Sequence, residues 1–158
     1  MGHGYSSKIG VFLILKRVID GKEEVLLQKR VNTGYMDNMY EVACSGHLEQ
    51  GESLTEAIAR EALEELGIVV KEEDLELLNV FHSYEEEYIR FFFMPSKYVG
   101  IPEIKEKDKC DDLRWFSIDG LPENMMMGLK ETFYNIKHGN IYDDCSFSRY
   151  KTSISKEK

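Results

Sequence analysis

Cysteine is scarce in this chain: Cys44, Cys110 and Cys145 are odd in number, widely spaced and without a CxxC pair. That arrangement suggests neither a zinc knuckle nor a disulfide framework, and it fits reduced thiols in a cytoplasmic protein. Long apolar runs are missing as well. The longest, Val11 to Leu15, is strand-sized, far short of the ~20 residues of a membrane span. The first residues also lack the extended apolar core of a secretory signal. Positive charge is in deficit, with 20 Lys and Arg against 29 Asp and Glu and a formal net charge of −9. Such a chain has little nonspecific affinity for DNA, a long RNA body or an anionic membrane. A phosphorylated ligand is not thereby excluded, because a cation held by acidic side chains inverts the field locally. No internal repeat marks a second domain, and 158 residues suit one domain with one sizeable core.

What is present is a series of short strands around one well-made helix. Ile9 to Lys16 reads as a buried strand, and Gly21-Lys22 as a turn into a second strand, Glu24 to Arg30. Residues 31–39 are a loop rich in turn formers, and Tyr40 to Ser45 is a short strand. Further on, Ile68 to Val70 opens an extended stretch. Leu75 to Tyr84 and Tyr88 to Met94 form an antiparallel hairpin turning at Glu85-Glu86-Glu87. Pro95 to Asp112 is a long polar segment, of a length that usually carries function or moves. Leu113 to Ile118 is another strand, and Glu123 to His138 has helical spacing through Met126, Leu129, Phe133 and Ile136. The core runs from about residue 9 to 138, followed by a polar tail, 140–158, whose last ten residues are expected to be disordered. Strands on both sides of a central helix, with a second helix at the end, predict an α/β fold with a mixed sheet between helices.

The central helix carries the information. Ser53 followed by Glu56 is a capping box, Leu54, Ala57, Ile58, Ala62 and Leu66 form an apolar stripe, and Gly67 suits the left-handed stop. The spacing predicts a helix from about Leu54 to Leu66. From Gly46 to Ile68 the chain places Glu49, Glu52, Glu56, Glu61, Glu64 and Glu65, with Arg60 as the lone cation. Glu61 and Glu65 fall one turn apart on the side of Leu54 and Ile58, the face that meets the core. Buried carboxylates need a partner, and a hard divalent cation suits them. Helix geometry alone leaves a second reading equally open, a solvated acidic end with Glu56 and Arg60 as an i,i+4 pair.

Read with its spacing, the segment is Gly46, five residues, Glu52, seven residues, then Arg60-Glu61-Ala62-Leu63-Glu64-Glu65-Leu66-Gly67-Ile68. It resembles the signature box of the MutT-like Nudix hydrolase superfamily, G-x5-E-x7-R-E-U-x-E-E-x-G-U, with Ala62 a small choice for its apolar slot. Leu26 to Arg30 before the box, and Leu113 to Phe116 with Asp119 to Pro122 after it, extend the resemblance to about Ile9–Lys137. Where many members have Pro-Gly-Gly leading into the box, this chain has Cys44-Ser45-Gly46.

The resemblance implies an α/β/α sandwich and a Mg²⁺-dependent pyrophosphohydrolase, with Mn²⁺ able to substitute. It makes Glu61 and Glu65 the principal metal ligands, with Glu64 sharing a metal or its water and the Gly46 carbonyl as a further ligand. Arg60 and Glu52 then orient the ligand carboxylates. The general base is Glu106 by preference, with Glu103, Asp108 and Glu85 to Glu87 as rivals. Arg30 is read as a phosphate contact or a structural salt bridge, and His47 as a substrate contact. Tyr35, Tyr40 and Tyr84 are candidates to stack a base, Tyr84 by its likeness to diadenosine polyphosphate hydrolases. Two other readings stand beside this one. A non-catalytic nucleotide-binding module has no need of Glu61, Glu64 and Glu65 together, and a diphosphate isomerase of the same fold wants a cysteine, for which Cys44 is the thiol near the metal loop. The expected partner is a small soluble nucleotide rather than a membrane or long nucleic acid; a homodimer stays open. Nucleoside triphosphates (oxidised ones included), dinucleoside polyphosphates and nucleotide sugars follow in that order.

Overall fold

The computed structural model describes residue 2 and residues 4–144. Cys145 and the tail read above as disordered lie outside the described residues. The strands are β1 (Lys8–Leu13), β2 (Lys16–Ile19), β3 (Lys22–Arg30), β4 (Tyr40–Val42), β5 (Cys44–His47), β6 (Leu75–Ser83), β7 (Tyr88–Pro95), β8 (Cys110–Ser117) and β9 (Tyr142–Asp143). The helices are α1 (Leu54–Glu61), which continues into a π turn at Ala62–Leu66, and α2 (Leu129–Lys137).

A five-stranded mixed sheet has the order β5-β1-β7-β6-β9, with β1 parallel to β7 and β6 parallel to β9. In the second sheet β3 pairs antiparallel with β2, β4 and β8. Alternation along β1 and the residues just after it divides the core in two. Val11, Leu13 and Leu15 pack with Ala57, Ile58, Ala62 and Leu66 of the first helix. Phe12 and Ile14 pack with Leu129 and Phe133 of α2. One helix therefore covers each face, which is the α/β/α sandwich expected from the sequence. Complete burial of a side chain such as Ile58 contributes about 1.5–3 kcal/mol, enough to fix the acidic helix on the sheet. Among the described residues no helix is long and apolar enough to cross a membrane.

Two stretches that read as single strands divide, because each serves both sheets, and β8 begins at Cys110 rather than Leu113. Ile9 to Lys16 is not one strand. β1 ends at Leu13, Ile14 still donates to the Phe93 carbonyl in the first sheet, and Leu15 accepts from Leu26 in the second, where Lys16 opens β2. Tyr40 to Ser45 splits likewise, β4 joining β3 and β5 joining β1 with Ala43 between. The segment before α2 is extended rather than helical: Tyr40 N–H donates to Asn124, and Met126 N–H to Tyr40. The helix begins only after Gly128, whose φ of 86° a side chain would strain.

Candidate active site

Ser53 caps α1, its Oγ accepting from Glu56 N–H at 3.1 Å. The helix then departs from the plain α-helix expected to Leu66. After Glu61 it widens into a π turn that stops at Gly67, φ 68°. Such turns are rare and concentrate at functional sites. The carbonyls of Glu65 and Leu66 face the long loop after β7, accepting from Lys105 N–H at 3.1 Å and Glu103 N–H at 3.1 Å. This tie carries the next residue, Glu106, to the acidic helix.

Glu61, Glu64, Glu65 and Glu106 line one side of a cleft of about 770 Å³, together with Gly46 and Arg60. Arg60 organises them. Its Nε and Nη2 grip both oxygens of Glu52 (3.1 and 2.8 Å), and its Nη1 reaches Glu61 at 2.8 Å and Glu64 at 3.3 Å. The Glu52 carboxyl is held below its ordinary range by Arg60 and by the Glu49 amide. Arg60 has no ion pair with Glu56; it turns instead to Glu52 and Glu61, whose carboxylates are largely buried, and to the more exposed Glu49 and Glu64.

Burial raises the Glu61 carboxyl above its ordinary value, opposed by Arg60 and reinforced by Glu64 and Glu106. Glu65 is pushed up to about 9, first by desolvation and then by Glu61, Glu41 and Glu106, although Ser45 N–H donates to it at 3.1 Å. Gly46 is in contact distance of Glu61 such that a Cβ there would run into the carboxylate. Among the described residues no three His, Cys, Asp or Glu side chains already encircle one point, Arg60 having drawn Glu61 and Glu64 to itself. The donor set nevertheless fits a hard divalent cation: oxygens only, with Glu61 and Glu65 desolvated and Glu61 close enough to raise Glu65, beside main chain that can approach because residue 46 has no side chain. Gly46→Ala is therefore expected to displace Glu61 and weaken Mg²⁺ binding by about 10- to 100-fold. Thermal melts against Mg²⁺ concentration check this; a response equal to wild type would remove Glu61 from the cation site.

On the other side of the cleft two buried charges, Glu41 and Arg90, were not picked out from the sequence. Glu41 is buried and accepts from Gln28 (3.0 Å), Arg30 (3.0 Å) and Ser45 Oγ (2.8 Å), its carboxyl raised by burial against the pull of Arg30. Arg90, also buried, donates from Nη2 to Glu86 at 2.9 Å and to the Tyr35 hydroxyl at 3.2 Å. Its guanidinium lies 4.7 Å from the Tyr88 ring centre. Lone charges inside apolar strand sequence, Glu41 between Tyr40 and Val42 and Arg90 beside Phe91 to Phe93, are the signal that could have found them.

The remaining candidates separate clearly. Arg30 and His47 line the cleft, Arg30 with a salt bridge to Glu41. Of the rival bases, Glu86 lines it but is committed to Arg90 and Tyr35, while Glu85, Glu87, Glu103 and Asp108 do not; Glu103 pairs with Lys105 at 2.6 Å. Tyr84 is a correction. Ser83 and Phe81 face Tyr88 and Arg90 across the hairpin, so alternation sends His82 and Tyr84 to the opposite face, where Tyr84 is exposed. Tyr40 is corrected too: it is buried, its hydroxyl bonded to Asp112 and Arg114. Cys44 is fully buried with its thiol raised well above the ordinary value by desolvation, and among the described residues the thiol that lines the cleft is Cys110.

A family model for the NUDIX domain matches residues 10–136. NAD-capped RNA hydrolase NudC of Pseudomonas aeruginosa is 28% identical over 100 residues, 63% of this chain and 34% of that protein. The chain thus spans about a third of the length of the curated relatives it matches. Among solved structures, a MutT NUDIX hydrolase from Burkholderia pseudomallei superposes with TM-score 0.69 at 24% identity, covering 80% of this chain and 95% of that one. A NUDIX hydrolase from Nitrosomonas europaea gives 0.65 at 25% identity over 87% and 93%.

Proposed function

The chain belongs to the NUDIX family, and we propose that it is a Mg²⁺-dependent pyrophosphohydrolase cleaving a nucleoside diphosphate linked to another group. The observation that carries the reading is the Glu61, Glu64 and Glu65 cluster opening on one cleft, with Glu61 and Glu65 raised by burial and Glu61 and Glu64 bonded to Arg60. Glu61, Glu65, Glu64 and the Gly46 carbonyl are the groups to hold the cation. A cation held there would neutralise charge on the diphosphate oxygens and lower the pKa of a water nucleophile. The chain's own residues do the rest. Glu52 fixes Arg60, Arg60 fixes the ligand carboxylates, and Glu106 accepts the proton of the attacking water on its carboxylate. Arg30 and His47 contact the phosphate side of the substrate.

A purely binding module would not need Glu61, Glu64 and Glu65 together, two of them held in a desolvated site. The isomerase reading loses support because the Cys44 thiol is buried and kept protonated. The acidic composition favours small nucleotides over a long RNA: a nucleoside triphosphate, a dinucleoside polyphosphate or a nucleotide sugar, in that order. A panel of these with Mg²⁺, alongside triphosphorylated and capped RNA, should release phosphate, pyrophosphate or a nucleoside monophosphate from at least one small compound. Cleavage confined to RNA overturns the preference for small nucleotides, and no cleavage of any diphosphate overturns the hydrolase.

A further inference from the structure

A diphosphate and its cation fill only part of a cleft of about 770 Å³. Another part is framed by Tyr35, Glu86, Tyr88 and Arg90, with the exposed Lys8 beside Tyr88 and the buried Arg90 paired with an acid. Arg90 is matched by Glu86 at 2.9 Å, so this pair leaves no surplus charge to hold another phosphate. What they present instead is a fixed pattern of donors and acceptors against aromatic faces. Arg90 is 6% exposed and sits 4.7 Å from the Tyr88 ring centre and 5.4 Å from that of Phe81, which immobilises it. Among the described residues its Nη2 alone is hydrogen-bonded, leaving Nε and Nη1 as donors. Glu86 offers only acceptors, now shared between Arg90 and the Tyr35 hydroxyl at 3.1 Å. Tyr35 is 42% exposed and lines the cleft.

A planar, uncharged ring whose edge carries an N–H beside an acceptor satisfies all of these groups at once. We propose that Tyr35, Glu86, Tyr88 and Arg90 form the subsite for the nucleobase of the substrate. Glu86 accepts from the N–H edge of the base, Arg90 donates to its carbonyl or ring nitrogen, and Tyr35 stacks on its face. The assignment rests on the reading that the acidic helix takes the diphosphate, which sets the direction in which the nucleoside extends.

The test is calorimetry of the full chain with AMP, GMP, CMP and UMP, using ribose 5-phosphate as the probe without a base. The wild type is expected to bind at least one mononucleotide about tenfold or more tightly than ribose 5-phosphate. Glu86→Gln should reduce that ratio about tenfold through the loss of a charged acceptor, and Tyr35→Ala by a similar factor through lost stacking. A wild type without the preference, or an unchanged ratio in Glu86→Gln, overturns the subsite. No turnover is needed. Base preference without diphosphate cleavage leaves the subsite standing and removes the hydrolase; cleavage without base preference does the reverse.

Discussion

Glu65→Gln is expected to lower turnover by about two to four orders of magnitude while the protein stays folded, since charge stabilisation at a metal site carries several kcal/mol of the barrier. Folding survives because the substitution imitates what the fold already prefers. Desolvation and the neighbouring Glu61, Glu41 and Glu106 push the Glu65 carboxyl up to about 9, so without a cation it keeps its proton at neutral pH. The unfolded chain releases that proton in the ordinary carboxylate range. Stability from this group is therefore complete at low pH and is lost as pH rises toward about 9. Melting temperatures taken in chelator should fall between about pH 5 and pH 9, less steeply in Glu65→Gln. Some slope must remain, because Glu61 is shifted in the same direction. An identical slope in both proteins removes the desolvation account, and full activity of the variant removes Glu65 from the cation.

The acid side of the site was legible because its information is local. A cap at Ser53, an apolar stripe and carboxylates at fixed helical spacing all lie within one stretch, and a helix turns spacing directly into geometry. The π turn was invisible, since Ala62 to Leu66 reads as ordinary helix; what favours the wider turn includes the hydrogen bonds its carbonyls make to residues nearly forty positions on. The other wall of the cleft is non-local throughout. Glu41, Arg30 and Gln28 meet through the β3–β4 register, and Arg90 meets Tyr35 across 55 positions. Hydrophobic period distinguishes a strand from a helix but not one sheet from another. That is why Ile9 to Lys16 and Tyr40 to Ser45 each read as one strand and serve two sheets. Tyr84 misled for a related reason: position in sequence suggested the cleft, and the alternation of β6 faces it away.

Glu106→Gln should cost a factor of about 10²–10⁴ in kcat, the usual contribution of a positioned general base, with KM changed little. Glu106 qualifies by placement. It lines the cleft, its charge is felt by both Glu61 and Glu65, and the bond from Lys105 N–H to the Glu65 carbonyl fixes the residue before it. The chain after it is held too, since the Glu106 carbonyl accepts from Lys109 and Cys110 N–H at 3.0 and 3.1 Å. A carboxylate so placed can serve as base or as a further cation ligand, and melting data separate the roles. If it is the base alone, the variant keeps the full rise in melting temperature with Mg²⁺ and loses only the chemical step. If it binds the cation, the rise shrinks along with the rate. Glu103→Gln is the matched control, an exposed acid paired with Lys105 outside the cleft, and is expected to stay within about twofold of wild type because surface ion pairs contribute little. A wild-type rate in Glu106→Gln excludes it from proton transfer, whatever the melts show.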